Sequence, residues 1–386
     1  MRKLLIVPFV VCVVLLGSLS VGAASEPSVE KLLQSMTLEQ KVGQLFIIRP
    51  DALDTSLTPD EINDSKAAGV KELTPDMKLT LKRYPAGGFV LFRKNIASPK
   101  QLKHFTADLK AACGLALPAG DVPAIMAIDE EGGRIARIAN HKNFDVTKFE
   151  SMEAIGNTRN PRKAREAAES IGKYLVEYGF TMDFAPVADV NTNPENIVIG
   201  DRAFGSDPGL VSKMVGAYLD GLYKHGVAGS LKHFPGHGDT KDDTHSGSVV
   251  VEKTWEELLK AEIIPFRENL ARADSVMVAH IELPNVTGDN LPATLSKKLI
   301  MNKLRNELEY GGVVITDAMM MHAIIDRYTS DEAAVLALEA GNDVILMPWD
   351  YREAFDGVLQ AVRSGIISEA RLDESVRRIL RLKTGG

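Results

Sequence analysis

The sequence predicts an α/β protein built as a single (β/α)8 TIM-type barrel, and three observations carry that expectation. Eight apolar, β-rich segments recur along the chain as near-continuous runs, the pattern of strands buried on both faces. The stretches between them carry helical stripes with proper ends. Repeated in the order strand, helix, strand, such units form a parallel sheet, and eight of them close into a barrel.

The expected strands are Gly43–Ile48, Gly88–Phe92, Ala124–Ile128, Met182–Val187, Val227–Lys232, Ser275–His280, Gly312–Thr316 and Asp343–Met347. Asp51–Tyr84, polar and broken by Pro59 and Pro75, interrupts the order as a long loop with helical pieces. Loops of that length act as lids or as tolerated surface insertions. Asn160-Pro161 opens a helix whose stripe is Ala164, Ala167, Ala168, Ile171, Leu175 and Tyr178, ending before Gly179. Asp207-Pro208 opens another, with Val211, Met214, Val215, Tyr218 and Leu222 inward and Gly226 closing it. Thr254-x-x-Glu257 is a capping box ahead of Leu258, Leu259 and Ile263. After the eighth strand, Tyr351–Lys383 supplies two helical stripes, one through Leu372, Val376, Ile379 and Leu380. No second domain is expected beyond this barrel, assigned to residues 25–386.

Residues 1–24 read as a signal peptide. Arg2 and Lys3 precede the apolar run Leu4–Leu16, and small residues at Val21–Ala24 suit cleavage. The expected location is therefore periplasmic or extracellular, with no membrane association after cleavage. Of two cysteines, Cys12 lies in the apolar run, leaving Cys113 and no internal disulfide. A composition of 45% hydrophobic and 25% charged residues over 386 positions is that of a globular protein. A net charge of −7 without any basic run excludes nucleic acid as the main partner. The expected state is a monomer or weak homodimer.

The reaction is placed on Leu231–His245, reading L-K-H-F-P-G-H-G-D-T-K-D-D-T-H. It concentrates three histidines, two lysines and three aspartates around Pro235, Gly236 and Gly238, which prevent helix and suit a tight loop. Barrel enzymes place reactive groups where strands end. The third strand ends in Asp129, with Glu130, Glu131, Arg134 and Arg137 following, and the fourth leads through Asp189 towards Arg202. The fifth ends in Lys232-His233, the sixth in His280 and the seventh in Asp317. Asp317 suits either a helix N-cap or a group aimed out of the barrel. His245 is the candidate proton-transfer partner, since Asp243 two residues earlier would hold its imidazole and favour the charged form. Glu130 and Glu131 read as loop tethers with Arg134 pairing to one of them, Asp189 as a loop brace, and Met319–Met321 as core lining. His237 is left undecided between loop and ligand.

K-H-F-P-G-H-G-D-T-x-x-D-T-H, with I-D-E-E-G-G-R-x-x-R, R-A-F-G and I-T-D-A-M around it, resembles the family 3 glycoside hydrolases, and more narrowly their β-N-acetylhexosaminidase branch. The likeness runs from about Leu38 to Leu382. It implies a retaining mechanism with Asp317 as nucleophile, His245 as acid/base and Asp243 as its dyad partner. Asp129, Arg137, Arg202, Lys232 and His233 match positions that hold the sugar. The implied partner is a terminal N-acetylglucosaminide from peptidoglycan fragments or chito-oligosaccharides, with no cofactor and no metal. A histidine replaces the usual second carboxylate of retaining glycosidases, a variation this family carries. The competing readings are a phosphorylase or β-glucosidase on the same site, a metal-dependent barrel hydrolase, and an inactive cell-wall binding module. Against metal, the H-x-H pair expected on the first strand is absent, since Leu45-Phe46-Ile47-Ile48 stands there.

Overall fold

Eight short strands, each following the helix before it, pair in parallel around one axis: β1 (Phe46–Ile48), β2 (Gly88–Leu91), β3 (Ile125–Ile128), β4 (Met182–Asp183), β5 (Ala228–Phe234), β6 (Ser275–Val278), β7 (Val313–Thr316) and β8 (Ile345–Leu346). The computed structural model describes residues 26–115, 122–240, 244 and 247–385. β1 pairs with both β2 and β8. The ring closes between β7 and β8 through the Ile315–Val344 bridge and the Thr316 N–H, which donates to the Val344 carbonyl at 3.0 Å. All eight expected strands are present in the expected order. Their apolar residues are buried on both faces, which is why the runs do not alternate.

Local chemistry moves several boundaries. Thr37 and Gln40 form a capping box that starts a helix over Leu38–Gln44, so the first strand begins at Phe46 instead of Gly43. Pro186 has no N–H to donate, and the regular ladder of β4 stops at Asp183. β5 runs on to Phe234, so Leu231–Phe234 of the histidine stretch is strand and the tight loop starts at Pro235. In that loop Gly236 has φ +127°, and a Cβ on Gly238 would stand 1.9 Å from the Val190 carbonyl oxygen. Both positions need glycine.

The helices follow their predicted stripes. Pro161–Glu177 and Pro208–Tyr223 are capped by the Asn160 and Asp207 side chains, and all the stripe residues named above are buried. The Thr254 box forms as expected, but its helix is only Trp255–Leu258, and a second begins at Ile264 with Pro265 in its first turn. Tyr351–Arg363 and Glu369–Thr384 complete the outer layer. Among the described residues, no helix is long and apolar enough to cross a membrane. Residues 1–24, read as a signal peptide, lie outside the described residues.

Asp343, fully buried before β8, holds the barrel's N-terminal end together. It accepts from Arg305 Nη2 at 2.5 Å, Ser375 Oγ at 2.6 Å, Arg378 Nη1 at 3.1 Å and the Val314 N–H at 3.0 Å. Burial works against its charge, but Arg305, Arg378 and Arg371 outweigh this and hold it below the usual carboxylate range. A depressed folded pKa contributes stability above the unfolded value, and that contribution fades as pH falls through the folded one. We expect Asp343→Asn to lower unfolding free energy in urea by about 3–5 kcal/mol at neutral pH, with the deficit shrinking in strong acid.

Candidate active site

The strand tips deliver charged and aromatic residues to one mouth, the sixth strand excepted. A cavity of about 740 Å³ opens at the C-terminal end of the barrel, within the range of small-molecule sites. It is lined by Arg49 after β1, Phe92 after β2, Asp129 and Arg137 after β3, Arg202 after β4, and Lys232 and His233 in β5. Asp317 after β7 and Trp349 after β8 complete the ring. The structure thus brings together Asp317, Asp129, Arg137, Arg202, Lys232 and His233, all expected from the sequence. Asp243 and His245 lie outside the described residues. Thr244, which stands between them in the chain, is on the cavity wall, and its carbonyl accepts from the Ala323 N–H at 3.3 Å.

Buried ion pairs set the floor of the cavity. Lys232 Nζ lies 3.0 Å from Asp129 Oδ1 and 2.6 Å from Glu131 Oε1. Arg202 donates to both Glu131 oxygens, Nε at 2.8 Å and Nη2 at 2.7 Å, the paired geometry that guanidinium favours. Arg137 Nη2 reaches Asp129 Oδ2 at 3.2 Å. Burial opposes the charge on Glu131, but Arg202 and Lys232 outweigh it and keep the carboxyl well below its usual range. For Asp129, burial again opposes charge, and Lys232 and Arg137 prevail. Lys232 loses from burial but gains more from Glu131 and Asp129, so its ammonium is held charged. The result is a rigid set of charged donors and acceptors at the cavity floor, suited to a ligand rich in hydroxyls.

The loops that carry these groups are tied from behind. Glu130 accepts the N–H groups of Arg137 at 2.6 Å, Ile138 at 2.9 Å and Ala139 at 2.8 Å, and the Tyr174 hydroxyl at 2.9 Å. It tethers its loop as expected, whereas Glu131 points into the site. Arg134 pairs with Asp201 at 2.9 Å and with neither glutamate, which corrects that expectation. Asp189 braces the histidine loop as expected: it accepts the His237 N–H at 2.7 Å and the His233 N–H at 3.1 Å, and its Oδ2 lies 2.7 Å from His233 Nδ1. Burial pushes Asp189 up, but the His233 imidazole beside it outweighs that.

Asp317 is not a helix cap. The next helix, His322–Ile325, has Met321 at its N-cap, and Asp317 Oδ1 accepts the Ala318 N–H at 2.7 Å. His280, expected at the mouth, is instead buried under the following turn, its Nε2 donating to the Ala318 carbonyl at 3.0 Å. Met319 is core as expected, but Met320 and Met321 also line the cavity, and Met320 Sδ takes a contact of 3.0 Å from Arg49 Nη2.

The interruption at residues 51–84 forms one wall. Asp60, Asn63, Asp64 and Ser65 border the cavity. Arg49 Nη1 donates to the Ile62 carbonyl at 3.0 Å, Lys94 Nζ to the same carbonyl at 2.8 Å, and Asn63 Nδ2 to the Trp349 carbonyl at 2.9 Å. Arg49 and Arg137 flank the Phe92 ring, 4.7 and 5.2 Å from its centroid. Sequence reasoning missed Arg49, Glu131 and Trp349. Arg49 was signalled only as a lone cation after Ile48, and nothing in the sequence pointed to Trp349. Among the described residues no three His, Cys, Asp or Glu side chains converge as metal ligands, and His245, one of the ligands of the metal-dependent alternative, lies outside them.

Comparison with known proteins follows the same line. Residues 37–382 match the glycosyl hydrolase family 3 N terminal domain. Beta-hexosaminidase LpqI of Mycobacterium tuberculosis is 34% identical over 346 residues, covering 86% of this chain and 85% of that protein. Beta-hexosaminidase A of Pseudoalteromonas piscicida is 33% identical over 338 residues, 82% of this chain, and this chain spans only 56% of its length. The structure of a glycoside hydrolase family 3 beta-N-acetylglucosaminidase from Paenibacillus sp. str. FPU-7 superposes with a TM-score of 0.80 and 39% identity, over 90% of this chain and 62% of that one.

Proposed function

From the premise that the chain belongs to glycoside hydrolase family 3, we propose that it is an exported, exo-acting, retaining β-N-acetylglucosaminidase. Its substrates are peptidoglycan fragments or chito-oligosaccharides with a terminal N-acetylglucosamine. One observation carries the reading: the Asp317 carboxyl shares a single barrel-mouth cavity with Lys232, Arg202, Arg137, Asp129 and His233. The relatives' names add support, as do the apolar run and small residues of positions 1–24 for export.

In this mechanism Asp317 attacks the anomeric carbon while His245, held by Asp243, gives a proton to the departing glycosidic oxygen. A glycosyl ester on Asp317 forms. Water, losing its proton to His245, then opens the ester and restores both groups, and the sugar leaves with its β configuration. Lys232, Arg202, Arg137, Asp129 and His233 hold the hydroxyls and the N-acetyl group, and the water-poor floor strengthens those contacts. The deciding assay compares aryl N-acetylglucosaminide with aryl glucoside, with and without phosphate. Release of free N-acetylglucosamine, independent of phosphate, is expected. Preference for the glucoside, or a sugar phosphate as product, would contradict the proposal.

His245→Ala separates the acid role from simple damage. We expect a small loss of kcat/KM, which reports formation of the glycosyl ester, with a dinitrophenyl leaving group and a much larger one with a natural disaccharide, because protonation matters only for the poorer leaving group. Turnover falls for both, because water activation also passes through His245. Equal losses of kcat/KM would remove His245 from the role of acid.

A further inference from the structure

Among the described histidines of Leu231–His245, His237 is the one whose position leaves a ring nitrogen without work. The residue is 2% exposed, yet it lines the cavity that holds Asp317. Its backbone N–H is taken by Asp189 and its carbonyl by Asn196 Nδ2 at 2.8 Å. On the ring, Nδ1 lies 2.7 Å from Thr240 Oγ1, which also stands 3.0 Å from the His237 carbonyl. The ring meets His233 edge-on, with centroids 6.0 Å apart. Nε2 is buried and makes no hydrogen bond among the described residues.

A buried polar atom without a partner costs about 1–3 kcal/mol, and such atoms are rare enough to need a reason. Here the backbone and Nδ1 bonds fix the ring, so Nε2 cannot turn away to find a partner. We propose that His237 Nε2 is a substrate-binding group that hydrogen-bonds one ring hydroxyl of the sugar seated over Asp317. This rests on the reading of the cavity as a sugar site. The single Thr240 hydroxyl proton goes either to Nδ1, making Nε2 a donor, or to the His237 carbonyl, making Nε2 an acceptor. A hydroxyl satisfies both cases, whereas a carboxylate or a carbonyl satisfies only one. Burial, first, and then the neighbouring His233 hold the imidazole towards its neutral form, consistent with an uncharged partner.

The two ring nitrogens can be tested apart, because an asparagine amide falls near Nδ1 and a glutamine amide near Nε2. His237→Asn, His237→Gln and His237→Phe are compared by kcat/KM on aryl N-acetylglucosaminide and on its 3-, 4- and 6-deoxy analogues, with Tm measured for each. A lost neutral hydrogen bond is worth roughly three- to tenfold. H237N and H237F are expected to lose about that much on the parent sugar, with H237Q within about twofold of wild type. For one deoxy analogue the wild type should already show the loss and H237F should add nothing further. H237N equal to wild type, H237Q as impaired as H237N, or losses that are the same on every analogue would overturn the proposal. A wild-type protein inactive on all N-acetylglucosaminides would overturn the functional reading and this one with it. An active wild type with an unimpaired H237N sinks this proposal alone.

Discussion

Asp317→Ala is expected to cut turnover of an aryl N-acetylglucosaminide on the order of 10⁴-fold or more, the scale of losing a nucleophile. The side chain is half-buried at the tip of β7, and its Oδ1 accepts the adjacent Ala318 N–H. Tm is measured beside turnover, which separates loss of chemistry from loss of folding. On the proposed mechanism the space vacated faces the anomeric carbon. Added azide should then enter it and restore part of the rate, yielding the α-glycosyl azide from a β-glycoside. Near-normal turnover, or no azide product with a folded variant, would remove Asp317 from the reaction.

Glu131→Ala has the second largest expected effect, and its cause is different. The carboxylate is shared by the buried Lys232 and the bidentate Arg202. Removing it takes the directly bonded carboxylate from Arg202 and leaves Asp129 and Asp189 to offset the two cations. Loss of one partner in a buried ionic cluster costs about 3–5 kcal/mol, so Tm should fall by several degrees. Lys232 and Arg202 would also drift, and a misplacement near 1 Å can cost about 10²-fold in rate. Glu131→Asp should recover part of both losses, because the charge returns at a shorter reach. Wild-type Tm and kcat/KM in Glu131→Ala would show that the cluster does not organise the site.

Much of this arrangement was legible in the chain before any coordinates. Runs such as Gly312–Thr316 and Ala124–Ile128 announce buried strands, and the charged residue that follows each opens onto the mouth. That is why Asp129, Lys232, His233 and Asp317 were placed correctly from order alone, whereas His280 at the tip of the sixth is drawn under the next turn by the Ala318 carbonyl. Adjacent glutamates are a harder case. Glu130 and Glu131 are identical in type, and extended backbone sends consecutive side chains to opposite sides. One closes a loop and the other enters the cavity, and only the register decides which. The wall at residues 59–65 was hidden for another reason. Its polar, proline-broken composition is that of any surface loop, and what makes it a wall is the distant Arg49, Lys94 and Trp349. Helix boundaries failed where a proline or a cap acted against an apolar run, as at Thr37 and Pro265.

The proposed retaining mechanism makes one covalent bond, and trapping that bond tests the proposal directly. A 5-fluoro-N-acetylglucosaminyl fluoride should form its glycosyl-enzyme quickly and lose it slowly. Digestion and tandem mass spectrometry should then place one sugar, in ester linkage, on Asp317. A sugar found on Asp129 or Glu131 instead, or turnover without any adduct and with inverted anomeric configuration, would contradict it.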